Sequence, residues 1–165
     1  PVVTLAPALA HDLGGSDALV GYFGSAFGIG AVLGSVISAA VGGGSRPTMA
    51  PVAGLLVMGA GLAVIPLMPT PWGVCLAFLV SGVGFTVALA GCTTSLHRVV
   101  PTSMRGRVMS LWVIAFMGTR PVAAIVNGVL ADGFGTGVAL VTMGLFVAAT
   151  GALCLPRVLQ HASRP

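Results

Sequence analysis

Charged residues are scarce in this chain of 165 residues, and two common kinds are absent. Only 6% of the residues are charged, against about a quarter in soluble domains, and neither lysine nor glutamate occurs. Without lysine the chain has no Walker loop, which needs one to bind nucleotide phosphates. The three aspartates form no catalytic pair, and the three cysteines have no metal-ligand spacing. The sequence therefore argues against an enzyme and predicts no catalytic residue, metal site or cofactor.

Apolar residues make up 56% of the chain, and the mean hydropathy is +1.08. Such a composition is typical of a protein that lies in a lipid bilayer. The net charge of +4 comes from seven arginines and three aspartates. A nucleic-acid-binding protein would cluster this charge on a soluble face, but here most arginines flank long apolar runs. The positive charge therefore indicates orientation in a membrane and argues against a nucleic-acid partner.

Five apolar runs are long enough to cross a hydrocarbon core about 30 Å thick, which takes roughly 20 helical residues. Residues 1–13 form a shorter run, and because the chain begins without methionine we expect it to be the end of a truncated span. The runs have neither the polar face of a soluble helix nor the alternation of a β-barrel strand. We therefore predict an all-α membrane protein, a polytopic helical bundle. The predicted spans are residues 18–41, 48–68, 73–96, 108–130 and 137–155.

The gaps between these runs alternate in charge. Arginines occupy every second gap and the C-terminal tail, whereas the aspartates occur only in the other gaps. Because cytoplasmic loops retain basic residues, the arginine gaps and the C-terminus are predicted to be cytoplasmic. The lack of lysine beside abundant alanine, glycine, valine and arginine suits a GC-rich bacterial genome. The predicted location is therefore the plasma (inner) membrane of a bacterium.

One arginine breaks this alternation. Arg120 lies inside the fourth span, 13 residues after Arg107 and 12 before Asp132, which places it about 18 to 20 Å along the helix from each. A central arginine costs at least about 2.5 kcal/mol on insertion scales, so it should face a cavity or a partner. Either Arg120 holds a polar or anionic substrate group or pairs with a carboxylate, or it caps carbonyls freed by Pro121 and fixes helix packing.

Several other polar or aromatic side chains are candidates for the same cavity. The alternative for Asn127 is an interhelical hydrogen bond, and the alternative for Phe116 is helix packing. Asn127 follows Arg120 by seven residues and Phe116 precedes it by four, so both share its helix face. Tyr22 and Ser81 belong to the other two spans that carry polar side chains. These three spans are predicted to line an interior, and the two most apolar spans to face lipid.

Three arginines mark the gap before the fourth span. Arg98, Arg105 and Arg107 lie within ten residues of one another. Their predicted roles are to set the orientation and contact anionic lipid, with a gating function as the alternative.

Residues 100–135 carry recognisable motifs. The sequence VPTSMRGRVMSLW at residues 100–112, GTRP at 118–121, Gly128, and LADGFG at 130–135 resemble helices ten to twelve of major facilitator superfamily transporters. The subgroup that the chain resembles is that of bacterial exporters related to enterobactin and macrolide efflux proteins. The resemblance implies the second six-helix half of a twelve-helix fold, with five complete spans plus the end of another. The missing N-terminal half would then be a partner.

This resemblance implies a secondary active transporter working by alternating access. We expect efflux of a small amphipathic molecule or drug, coupled to protons. No complete span contains a carboxylate, so the proton-binding group is expected in the missing half, with Asp12 beside His11 as the alternative. The family's charged loop signature survives only as GGGSRP at residues 42–47, without its acid. The alternatives are an importer of a small solute and a non-transporting scaffold that assembles through glycine faces such as Gly24 with Gly28 and Gly30 with Gly34.

Overall fold

A computed structural model of the chain describes residues 2–14, 17–41 and 49–162. These residues form six α-helices and two 3₁₀ turns, and they contain no strand. The glycine-rich loop at 42–47 and Arg164 of the C-terminal tail lie outside them. The helices are α1 (Val2–Asp12), α2 (Asp17–Val41), α3 (Met49–Val64), α4 (Pro71–Val99), α5 (Arg105–Phe134) and α6 (Thr136–Ala162). The turns are Ile65–Leu67 and Thr102–Met104.

Five of these helices, α2 to α6, are long and apolar enough to cross a membrane. They overlap the five apolar runs in the sequence, with differences of a few residues at the ends. Helix α1 has 11 described residues, too few to span at about 1.5 Å per residue. The prediction of an all-α membrane protein is confirmed.

The ends of α4 follow from local chemistry. Thr70 precedes the helix with an extended backbone, and its hydroxyl oxygen accepts a hydrogen bond from the Gly73 N–H at 3.3 Å. Pro71 occupies the first helical position, where a missing N–H costs nothing. At the other end, Pro101 forces Val100 into an extended conformation, and the helix ends there.

Replacing the Thr70 cap with alanine is expected to lower stability by about 1 kcal/mol, because an N–H at the start of α4 loses its partner. The control is Thr94→Ala, at an exposed threonine on the same helix, where alanine's higher helix propensity predicts no loss. Thermal unfolding of the two variants in detergent measures the difference. Equal unfolding temperatures would show that the cap contributes nothing.

The helices pack unequally. Helix α4 runs between α2 and α3, and α3 also packs along α6. Helix α5 makes only light contact with α6 and α1. In its most apolar stretch 6% of the residues are buried, against 22 to 39% in the other four spans. The surface of α5 is therefore the most open part of the described bundle.

The apolar core lies at one end of the bundle. It joins the end of α1, the start of α2, the turn after α3 and the starts of α4 and α6, so these ends meet, as in an antiparallel bundle. The larger core side chains are Leu5, Leu9, Phe23, Leu62, Ile65, Val74, Phe78 and Leu140. Asp12 follows directly in α1, and Asp132 lies beside Ala131, which packs on this core. We call this side the aspartate end.

Candidate functional site

Arg120 lies near the middle of α5 and is exposed. The carbon at the centre of its guanidinium is 5.3 Å from the centroid of the Phe116 ring, one helical turn earlier. Such a cation–π contact contributes about 0.5–1 kcal/mol at an exposed site. Phe116 therefore helps to hold the guanidinium in place while leaving it accessible.

Phe116 belongs to a row of four rings that crosses three helices. On α5 the Trp112 and Phe116 rings are nearly parallel, with an interplanar angle of 16° and centroids 6.4 Å apart. Phe85 of α4 lies 6.4 Å from Phe116, and Phe27 of α2 lies 5.8 Å from Phe85. All four side chains are half-buried. We call these four residues the aromatic strip.

The strip joins α4 to α5, two helices whose backbones stay apart. Helix α5 packs mainly on α6 and α1, and it has little backbone contact with α4. The ring pair Phe85 and Phe116 therefore bridges a space between α4 and α5. Trp112 on α5 and Phe27 on α2 extend the row on either side of this pair. Arg120 lies at the α5 end of the row.

The described carboxylates do not reach Arg120. Asp132 is 12 residues further along α5, about 18 Å along the axis. Asp12 ends α1 at the aspartate end, the same end of the bundle at which α5 finishes. The carbonyl of Met117, which Pro121 leaves without a helical donor, receives no hydrogen bond from Arg120 in the described structure. The positive charge is thus presented on the open surface of α5, beside an aromatic wall.

Asn127 occupies a different environment from Arg120. It is fully buried, the only residue of α5 that is, and among the described residues neither the nitrogen nor the oxygen of its amide has a hydrogen-bond partner. It lies one turn before Leu130 and Ala131, which pack on the apolar core. The shared helix face predicted from a spacing of seven residues therefore does not bring Asn127 onto the open surface with Arg120.

The two remaining cavity candidates also lie apart from the strip. Ser81 is fully buried between α4 and α3, where its hydroxyl donates to the Ala77 carbonyl at 2.8 Å and a Cβ at Gly61 would collide with it. Its position serves helix packing. Tyr22 is 58% exposed on α2 and makes no ring contact with the strip.

The three loop arginines, Arg98, Arg105 and Arg107, are all exposed at the end of the bundle opposite the core. The Arg105 guanidinium donates to the His97 carbonyl in the last turn of α4 at 3.1 Å. This bond ties the start of α5 to the end of α4 and satisfies a carbonyl that the helix leaves free. Arg105 therefore has a structural role in joining α4 to α5.

The residues that sequence reasoning missed are Phe27, Phe85 and Trp112. Each lies in a span that was expected to line an interior, yet nothing in the linear order pairs rings from three helices. The sequence feature that could have pointed to these three residues is their position in spans that carry polar side chains. Among the described residues no group of three histidine, cysteine or acidic side chains is placed to hold a metal ion.

A family model described as Major Facilitator Superfamily matches residues 2–165. The chain therefore belongs to this superfamily, whose members are membrane transporters, and it is a multi-pass membrane protein. The resemblance seen in residues 100–135 is thus confirmed for the superfamily. No curated protein and no solved structure matches the chain.

Proposed function

We propose that residues 1–165 are the C-terminal half of a twelve-helix exporter that moves a small amphipathic molecule by alternating access. In this proposal the arginine-bearing loops and the C-terminus are cytoplasmic, in the plasma membrane of a bacterium. An N-terminal half completes the transport path and carries the proton-binding carboxylate. The observation that carries the proposal is Arg120, an exposed cation at mid-span on the least buried helix.

Desolvation supports this assignment. A guanidinium in the middle of a span is tolerated where it faces a water-filled path or a partner, and in transporters such depths hold the substrate. The described residues offer Arg120 a ring but no carboxylate. A substrate group, or an acid of the N-terminal half, supplies the missing charge. Either role makes the charge necessary for transport.

The test compares Arg120→Ala and Arg120→Lys in the full-length transporter, expressed in a bacterial host that lacks its own efflux pumps. The intact protein is expected to raise the inhibitory concentration of compounds in a panel of small amphipathic toxins. Arg120→Ala removes this protection, because a lost charge-assisted hydrogen bond of about 1.5–3 kcal/mol weakens binding tenfold or more. Arg120→Lys retains part of it, because lysine keeps the charge and loses the planar fork.

The control is Val122→Ala, at an exposed position two residues away, and it should protect the host like the wild type. Unchanged protection by both Arg120 variants would remove Arg120 from the transport path. Greater sensitivity with the intact protein than without it would indicate import. Identical sensitivity across the panel with and without the protein would favour the non-transporting scaffold.

A further inference from the structure

We propose that the substrate of this site is an organic anion whose charge is attached directly to a flat aromatic ring system. The anion binds Arg120, and the ring lies against Phe116 and Trp112 of the aromatic strip. This inference rests on the transport function proposed above and specifies the substrate class of the same site.

The surroundings of Arg120 favour an anionic ligand. Its guanidinium contacts the Phe116 ring, and the described carboxylates lie at the aspartate end. A cation–π contact leaves N–H donors of the guanidinium unused. Their fixed planar fork matches the two oxygens of a carboxylate, which it binds in a bidentate manner. An anion of this geometry therefore neutralises the charge without displacing the ring.

The spacing of the rings in the aromatic strip favours a ligand with a flat aromatic ring. Successive centroids in the strip are 5.8 to 6.4 Å apart, within the range of about 4.5–7 Å that aromatic pairs prefer. Trp112 and Phe116 are half-buried, so each keeps part of its surface uncovered. A flat substrate ring extends the row with the same geometry, whereas a saturated ring lacks the π face and is thicker.

The order of residues along α5 sets the length of the ligand. Trp112, Phe116 and Arg120 follow one another at intervals of one turn, so they extend over about 12 Å of the helix axis. If the carboxylate of the ligand is bonded directly to the ligand's ring, binding of the carboxylate to Arg120 therefore places that ring beside Phe116. A second fused ring reaches towards Trp112. A bicyclic aromatic acid is the simplest probe with these dimensions.

The experiment measures binding of 2-naphthoate and of its saturated counterpart, decahydro-2-naphthoate, to the full-length transporter by titration calorimetry. The two acids share their carbon skeleton and charge and differ in the aromatic ring. We expect 2-naphthoate to bind about tenfold more tightly, because only it adds aromatic contacts with two rings. Phe116→Leu should reduce this preference, because only Trp112 then remains to contact the ligand ring, and Phe116→Tyr should preserve it. Arg120→Gln should weaken binding of both acids.

The matched control is Phe134→Leu, which removes an exposed ring at the far end of the same helix and should leave the preference unchanged. Thermal unfolding establishes that each variant is folded before it is titrated. Equal affinity for the two acids, no measurable binding of 2-naphthoate, or an unchanged affinity in Arg120→Gln would each overturn the substrate class. The toxin-panel assay with Arg120→Ala uses neither acid, so its result judges the transport function separately.

Discussion

Gly30→Val is expected to prevent the protein from accumulating in a folded form, whereas Gly28→Val, two residues earlier on the same helix, should leave folding close to wild type. The two variants make the same chemical change in α2. They differ in what the new side chain meets. A Cβ at Gly30 would collide with the Leu79 carbonyl of α4, whereas a Cβ at Gly28 has no atom within 4 Å.

The collision at Gly30 is with backbone, and this makes it severe. A flexible side chain can rotate away from an added methyl group, but a carbonyl inside a helix moves only with the helix. The contact is reciprocal, because a Cβ at Gly82 of α4 would collide with the Phe27 carbonyl of α2. Overpacking costs 1–3 kcal/mol in cores that can adjust, and we expect at least about 3 kcal/mol here. Helices in lipid depend on such close approach for their association.

The measurement is size-exclusion chromatography and thermal unfolding of both variants of the full-length protein in detergent. Gly28→Val serves as the control for the helix-propensity cost of valine, which is the same at both positions. A Gly30→Val protein that elutes and unfolds like the wild type would show that α2 and α4 do not approach each other as described.

These glycines also show how far the sequence predicts packing. The sequence offers two small-residue faces on α2, Gly24 with Gly28 and Gly30 with Gly34. The structure packs only the second pair on α4. Spacing identifies residues that share a face, but which face meets a neighbour depends on the rotation of the helix in the bundle. The spans were predictable because hydropathy and length are local properties, whereas helix rotation is a tertiary property.

The residues of the candidate site also fall into two groups, those that the sequence predicts and those that depend on tertiary packing. Arg120 was predictable because a charge inside an apolar run costs free energy wherever the helix packs. Phe116 followed from its spacing of one turn. Phe85 and Phe27 were not predictable, because α4 and α2 bring them to α5 through tertiary packing. Asn127 is buried although its spacing of seven residues places it on the helix face of Arg120, because burial too depends on tertiary packing.

Asn127→Leu is expected to stabilise the protein by about 1–3 kcal/mol, the usual cost of a buried polar group without a partner. Both the amide nitrogen and the amide oxygen of Asn127 are buried and find no partner in the described part of the chain, and the hydrocarbon core supplies no water to satisfy them. Leucine has a similar size and shape and no hydrogen-bonding group. The variant should therefore unfold at a higher temperature than the wild type.

The control for Asn127→Leu is Ser81→Ala, because Ser81 is equally buried but its hydroxyl donates to Ala77. Removing this satisfied group gains nothing and loses one hydrogen bond, so Ser81→Ala should be neutral or slightly less stable. Thermal unfolding of the full-length variants in the same detergent shows whether each substitution raises or lowers the unfolding temperature. A lower unfolding temperature for Asn127→Leu would mean that the amide has a partner in the assembled transporter that the described residues do not supply.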